Sequence, residues 1–540
     1  MARSRSHRLF IHAATNYFFQ GLNKYPGPFL ASLTNWWRFF LVSGQRCEAT
    51  HIKLHNQHGN IVRLGPNCLS FADPQAAKTI YSLKNNLNKI TFYPVQIQLH
   101  RGLPLPSLFG TLDTTYHSKL RRLATPAFAM SNLVTHYEPR VDNAIKAFLS
   151  QTAKLYTCQP GSTDGKTCNF VRWLQFFAFD VIAEITYSKR LGFIDREEDV
   201  DGIIESLDNA FDYSAVVSQM PWLDRWVGKQ NPVKRMLSRW GFWQSMSATT
   251  RFARERMVER LEEVERKRSM GEKTKNEDVS GREEGDDPVG MFLQVQRDNQ
   301  QQGSGFMTDH VVLTMATTMV LAGSDTTAAS LATVFYYLLR NKECYRRLVE
   351  EIDDAVGKGA ISLKGNDGVV SWTDAQNLPY LDACIKEAFR LHPAVGMHLE
   401  RVTPPGGMEI CGEFVPGGTI VGCNSWVIHR SREVFGENVE EYRPERWFVD
   451  DNMDQEKEKQ RVSEMSATLL HFGAGTRACI GRNIALLEMY KFVPSFLMRF
   501  DIHPTTKKEW PLKNMWFIKP AKFDVKITAR GTQGNEDKSL

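Results

Sequence analysis

The chain reads as mainly α with a small β region, built as a single large domain. Three observations carry that reading. A helical pattern without proline runs through residues 308–340. Apolar residues recur at helical spacing through much of the remainder, as in the aromatic-rich stretch 173–187. The β signals are confined to two short stretches, 61–71 and 404–419. At about 150 residues per domain, 540 residues would allow three or four domains. The motifs on either side of the one abrupt composition shift, at 262–288, serve one site, however, so that shift is not read as a linker. A chain of this length buries a large core without disulfide or metal staples.

Taken in order, residues 9–23 carry no Asp, Glu, Lys or Arg. The stretch is shorter than the roughly 20 residues needed to span a bilayer. Phe10, Tyr17, Phe18 and Phe19 suit an interfacial helix with basic flanks, and a frayed terminus or misplaced start codon is the plain alternative. No small-residue cleavage site follows, which argues against a signal peptide. Lys24-Tyr-Pro-Gly-Pro28 is a stiff turn. Trp36, Trp37, Phe39 and Phe40 surround Arg38, and packing on the core is the default for them over contact with a membrane. Ile61-Val-Arg-Leu, a Gly-Pro-Asn turn and Cys68-Leu-Ser-Phe predict a β-hairpin. Residues 262–288, rich in Glu, Lys, Arg, Gly and Asp, predict a solvated helix end and a mobile surface loop. Thr308 is the expected N-cap of the long helix, which at 1.5 Å per residue would run roughly 50 Å. Hairpins are expected at 404–419, and a polar tail at 531–540.

Apolar residues make up 42% and charged residues 24%, which excludes a wholly disordered chain, a collagen-like repeat and a multi-span membrane protein. The net charge of +6 suits an acidic protein partner or an anionic membrane and is too weak to argue for nucleic acid. The nine cysteines are odd in number, scattered, and never form CxxC, so a reducing, intracellular setting is expected, with at least one free thiol.

Four motifs carry chemistry. Phe472-Gly-Ala-Gly-Thr-Arg-Ala-Cys-Ile-Gly481 precedes a helical stretch, 482–491, so Cys479 sits just before a helix N-terminus. Backbone N–H groups and the helix dipole would favour a thiolate there, and a thiolate so held can ligate a metal. Gly473 and Gly475 permit a tight loop, and Arg477 adds a nearby cation. Residues 473–478 also match GxGxxA, with Asp501 downstream, but a dinucleotide fold needs repeated βαβ units that this helical surrounding lacks. A buried cysteine in a glycine-rich turn is the bland alternative. In Ala322-Gly-Ser-Asp-Thr-Thr327, Gly323 opens a gap beside the helix and Asp325 and Thr326 place an acid and an alcohol next to it; a kinked helix with locally bonded hydroxyls is the alternative. Glu387 and Arg390 are three apart on a helix, with Arg446 in Pro444-Glu-Arg-Trp447 as a second partner for Glu387. His117 and Arg121 share a helical face that reads as an anion clamp or a solvated basic face.

In this order and spacing the four motifs resemble the cytochrome P-450 superfamily of haem-thiolate monooxygenases, over residues 24–528. The cysteine loop is similar to FxxGxRxCxG at Phe472, Gly475, Arg477, Cys479 and Gly481, and Ala322 to Thr327 is similar to AGxDTT. Lys24 to Pro28, "LAGSDTTA" and "ERVTPPGG" resemble the filamentous-fungal, microsomal-type, pisatin-demethylase-like branch. Tyr187-Ser188 departs from the Phe-Gly expected there, as does the short N-terminal segment from a full membrane anchor.

The resemblance implies haem b between the long helix and the cysteine-loop helix. Cys479 would be the axial ligand of the iron and Phe472 would pack against the haem. Arg477, Arg121, His117 and Arg401 would hold the propionates. Ala322 and Gly323 would leave room for dioxygen, and Thr326 and Asp325 would handle its protons. Glu387, Arg390 and Arg446 would be structural. It further implies insertion of one oxygen atom of O2 into a hydrophobic small molecule, in fungal terpenoid or polyketide biosynthesis or in detoxification. Electrons would come from NADPH through a separate reductase, with Lys119, Arg122 and Arg482 near the docking face. The substrate pocket is expected along 99–114, at 395–397 and near Trp516 and Phe517. The expected organisation is an N-terminal membrane-associated segment (1–44), a haem-thiolate catalytic domain (45–530) and a tail (531–540), as a monomer on the cytosolic face of the endoplasmic reticulum. The alternatives are a haem-thiolate isomerase, dehydratase or peroxygenase that needs no reductase, and a non-catalytic haem-binding protein.

Overall fold

A computed structural model describes residues 2–158, 166–240, 247–269, 287–362 and 368–530. The expected tail at 531–540 and most of the charged stretch at 262–288 lie outside those residues. The elements that position the site are, in chain order, α1 (Trp36–Ser43), α2 (Cys47–His58), β1 (Ile61–Gly65), β2 (Cys68–Phe71), α3 (Thr114–Ala124), α4 (Glu138–Tyr156), α5 (Phe170–Tyr187), α6 (Ile203–Val217), α7 (Asp309–Arg340), α8 (Pro379–Leu391), β3 (Arg401–Val402), β4 (Met408–Ile410), β5 (Glu413–Val415), β6 (Ile420–Gly422), α9 (Arg482–Leu497), β7 (Leu512–Met515) and β8 (Phe517–Pro520).

The long helix forms as expected. Thr308 caps α7, its hydroxyl accepting from the Val311 N–H, and the helix runs unbroken through the Gly-Ser-Asp-Thr-Thr segment. α7 packs most extensively on α5, and also against α8, α9 and β8. Aromatic rings fuse these helices at one end. Phe177 of α5 meets Phe492 of α9 at 4.5 Å, Phe148 of α4 meets Trp173 of α5 at 5.1 Å, and Phe335 of α7 meets Phe170 at 5.0 Å. Such ring pairs add about 0.5–1.5 kcal/mol each beyond their area burial. The Trp173 indole N–H donates to Thr152 at 2.8 Å, so the bulkiest ring is buried without an orphan donor. α5 ends on Ser188 in the left-handed region (φ 56), the conformation that glycine adopts without cost, and Ser188 donates to Asp287 at 2.8 Å.

The predicted hairpin is β1–β2, antiparallel, with the turn after Gly65. β2 runs parallel to β6, which pairs antiparallel with β3, giving the order β1-β2-β6-β3. β4 and β5 form the hairpin expected in 404–419, and β7 and β8 form another near the C-terminus. The N-terminal helix Ala2–Tyr17 reaches this sheet through Arg63, whose guanidinium donates to the carbonyls of Asn16 at 2.6 Å and Tyr17 at 2.8 Å. Phe10, Ile11, Phe18, Phe29, Leu30 and Phe40 are exposed. Among the described residues, no helix is long and apolar enough to cross a membrane.

Glu387 and Arg390, one turn apart on α8, are completely buried. Arg390 donates to both Glu387 oxygens at 2.8 and 3.0 Å, Arg446 donates to Oε1 at 2.8 Å, and the Trp447 indole donates to Oε2 at 2.9 Å. The spare guanidinium donors satisfy main-chain carbonyls of His429, Asn438, Val439 and Glu441. His429 carries the network to the cysteine loop: its Nε2 accepts from Leu470 N–H at 2.8 Å and its Nδ1–H donates to Arg390 O at 3.1 Å.

This geometry makes His429 a neutral imidazole. Burial pushes its pKa down to about 3, and a proton on Nε2 would face the Leu470 N–H. The unfolded chain takes up that proton near pH 6.5, so stability from His429 is present above 6.5 and is lost as the pH falls toward about 3. We predict that wild type loses stability faster than His429→Gln on acidification, by up to about 1.4 kcal/mol per pH unit inside that window. Urea unfolding of both proteins between pH 7 and pH 4 checks this, and parallel profiles would refute it.

Candidate functional site

Cys479 N–H donates to Phe472 O at 2.8 Å, closing the loop ahead of α9. The loop needs glycine at two left-handed positions, Gly473 (φ 65) and Gly475 (φ 67). A side chain on Gly475 would also meet Tyr81 O at 2.0 Å. Cys479 opens onto a cavity of about 340 Å³ that Phe472, Gly481, Ala322, Gly323, Thr326, His117, Arg121, Arg401 and Arg477 also line. Nearly every residue expected at the site therefore converges on it. The thiol differs from expectation in one respect. Burial raises its pKa, outweighing the N–H groups of Gly481 and Arg482 and the charge of Arg121, so the helix terminus alone does not make a thiolate. A bound metal ion would supply the missing compensation.

Cations gather at one edge. Arg401 donates to Tyr93 Oη at 3.2 Å and lies over the rings of Tyr81 and Tyr93. Arg121 donates to Ala478 O at 2.8 Å, and Arg477 reaches Leu108 O and Thr111 O at 3.4 and 3.3 Å. Burial, then Arg401, holds Arg477 down to about 10. Lys89, which sequence reasoning missed, is buried here as well. Its ammonium donates to Phe109 O at 2.6 Å over the Tyr93 and Phe109 rings. Burial, then Arg401 and Arg477, drives its pKa well down. His117 is pushed to about 3 by burial, then by Arg477, Lys89 and Arg121, so it enters the cluster neutral rather than as a cation of a clamp. Buried Lys89 and Arg401 and half-buried Arg121 and Arg477, repelling one another, call for an anion, and a cofactor carrying two carboxylates beside a ligatable metal fits this donor set.

The α7 segment departs from expectation twice. Thr326 faces the cavity, its hydroxyl donating to Ala322 O at 2.7 Å. Asp325 does not face it: its Oδ1 accepts from Gln175 of α5 at 2.7 Å and its Oδ2 pairs with Lys519 of β8, which also holds Asp208 of α6 at 2.6 Å. Asp325 is drawn to the α5 and β8 side of the helix by these partners, while Thr326, about 100° further round, turns to the cavity. A side chain on Gly323 would meet Ile182 Cδ1 at 2.7 Å, so the missing Cβ first serves the close approach of α5, while the Gly323 backbone still lines the cavity.

The wider part of the cavity is aromatic and aliphatic. Phe109, Val395, Trp516 and Phe517 line it as expected. The lining begins earlier than predicted, with Tyr81, Lys89, Tyr93 and Gln96, and skips Leu99 to Pro104, and α6 contributes Leu207, Ala210 and Phe211, which sequence reasoning missed. Met397 lies elsewhere, packed with Val42, Cys47 and Phe92. Lys119 is turned onto the Phe306 ring at 4.4 Å. Glu488, also missed, lines the cavity with neither carboxylate oxygen hydrogen-bonded among the described residues, and burial raises its pKa strongly. Its helical spacing from Gly481, Ile484 and Ala485, all lining residues, was a signal that was available.

A family model described as Cytochrome P-450 matches residues 26–527. The cytochrome P-450 monooxygenase cicH of Emericella nidulans is 38% identical over 518 residues, covering 95% of this chain and 96% of its own. A cytochrome P-450 monooxygenase of Aspergillus terreus is 37% identical over 477 residues, 88% and 89% of the two chains. The cytochrome P-450 monooxygenase asR2 of Sarocladium schorii is 34% identical over 513 residues, 94% and 92%.

The two glycine contacts predict unequal costs. Gly323→Ala meets a side-chain end that can turn aside and should cost about 1–3 kcal/mol, recovered in part by Ile182→Ala. Gly475→Ala meets a main-chain carbonyl on left-handed backbone and should cost more, with no such rescue. Thermal unfolding of the three variants checks this; equal losses would contradict it.

Proposed function

The chain belongs to the cytochrome P-450 family and is a haem monooxygenase, and from that premise we propose that it oxidises a hydrophobic small molecule of fungal secondary metabolism, a terpenoid or polyketide, with electrons delivered from NADPH by a separate reductase. The observation that carries this reading is the convergence of the Cys479 thiol and the buried cation cluster on one largely apolar cavity. Bound haem supplies the activation of dioxygen and the transfer of one oxygen atom. Cys479 Sγ would hold its iron, and Arg121, Arg401, Arg477 and Lys89 would bind its carboxylates, with His117 acting as a neutral partner. Phe109, Phe211, Trp516 and Phe517 would orient an apolar substrate and exclude water.

Thr326 Oγ1 would present a proton to the cavity by turning away from Ala322 O. Asp325 would act from behind it. Lys519 links Asp325 to Asp208, whose side chain is 44% exposed, and this gives a route by which protons reach α7 from the surface. The exposed Phe10, Ile11, Phe18 and Phe40 would attach the protein peripherally to the endoplasmic-reticulum membrane, and flotation of the purified enzyme with liposomes checks that attachment.

The carbon monoxide difference spectrum of the reduced protein tests the central assignment. A strongly red-shifted Soret band is expected in wild type and not in Cys479→Ala; a histidine-type spectrum in folded wild type would overturn it. Thr326→Ala should retain haem yet divert NADPH electrons to peroxide, and Asp325→Asn should slow turnover by on the order of 10². Unchanged coupling and rate in both variants, or turnover without NADPH and reductase, would favour the reductase-independent reading.

A further inference from the structure

The segment that leads into β3 is extended, so its side chains alternate between two faces. Leu399 and Arg401 point into the large cavity, while His398 and Glu400 point to the other side. There they meet Cys68, the first residue of β2, which β6 holds two strands away from β3. A sulfur, an imidazole nitrogen and a carboxylate oxygen of these three residues lie within 4.8 Å of one another. All three are buried, at 0%, 5% and 2% exposure. Neither ring nitrogen of His398 is hydrogen-bonded among the described residues, Nδ1 lying 3.6 Å from Glu400 Oε1 as a loose ion pair, and Glu400 Oε2 has no hydrogen-bond partner either. Buried polar atoms are rarely left this way.

We infer that Cys68, His398 and Glu400 form a buried zinc site, separate from the large cavity. Thiolate, imidazole and carboxylate are the ligand types that zinc takes in tetrahedral sites. The fourth position falls to a water, for which the adjoining cavity of about 20 Å³ has room. His51 borders that cavity, but its Nδ1 accepts from Asn424 at 3.0 Å, which leaves the proton on Nε2 and makes it a donor to the water rather than a ligand. Arg38 donates to Glu400 Oε1, fixing the carboxylate and leaving Oε2 for the metal. Thiolate and carboxylate would offset the charge of the ion, and the net positive charge of the site would then be that of the Arg38 guanidinium. The site would tie β2 to the segment whose next residue is Arg401, and so hold that cation in register. It rests on none of the haem assignment.

Metal analysis of the purified holoenzyme tests this. About one zinc per chain is expected in wild type, with at least about tenfold less in His398→Gln and Cys68→Ser, and no loss in the buried-cysteine control Cys344→Ser. Zinc K-edge absorption of wild type should show one sulfur at about 2.3 Å and lighter ligands at about 2.0 Å. Haem content reports whether each variant has folded. Should Cys68→Ser fail to fold, His398→Gln and the wild-type absorption spectrum decide. Wild type that purifies without zinc and takes none from a chromophoric chelator would overturn the site. So would zinc retained unchanged in both variants, or a spectrum without sulfur; the cluster would then be an ion pair or a hydrated pocket.

Discussion

The carboxylate of Glu387 takes hydrogen bonds from Arg390, Arg446, the Trp447 indole and the Arg443 N–H, all inside a protein interior where an unmatched charge is costly. None of these groups can leave without stranding another. The network therefore fixes α8 against the Pro444 turn, and His429 extends it to Leu470, two residues ahead of Phe472. The cysteine loop closes on itself through the Cys479 N–H and is tied down by Arg121 at Ala478 O. Its position is inherited from this buried charge cluster on one side and from the close approach of Gly475 to Tyr81 on the other.

The cavity is built against the usual preference of a protein interior. Buried ionisable groups normally come in opposite pairs. Here Lys89, Arg121, Arg401 and Arg477 crowd together, and their protein partners are carbonyls and rings rather than carboxylates. Opposite in character is Glu488, a carboxyl group whose pKa burial pushes well up. Both features hold the pocket ready for a ligand that brings negative charge at one edge and an apolar body elsewhere.

α7 shows how one helix serves several neighbours at once. Ser324, Thr326, Ser330 and Thr333 each return a hydroxyl proton to the carbonyl four residues earlier, which lets polar side chains lie in a buried helix without breaking it. Gly323 lets α5 approach, Asp325 anchors β8 through Lys519, and Thr326 faces the cavity. Residues within one turn thus address two different elements and the cavity, as the helical period allows.

The sequence by itself determined the fold class, the long helix with its Thr308 cap, the β1–β2 hairpin and the residues of the cysteine loop, because each depends on spacing within one element. The pairing of Glu387 with Arg390 was legible for the same reason, although a three-residue spacing does not say whether the pair is exposed or, as here, buried. Tertiary structure alone decided where Asp325 points, since its ion pair joins residues 194 positions apart. It also decided that Lys89 belongs to the cation cluster and that His398 and Glu400 turn away from Arg401 toward Cys68. Local pattern records which face of an element a residue occupies, but what that face meets is set by the packing of distant segments, and both the pKa values and the partners follow from that packing.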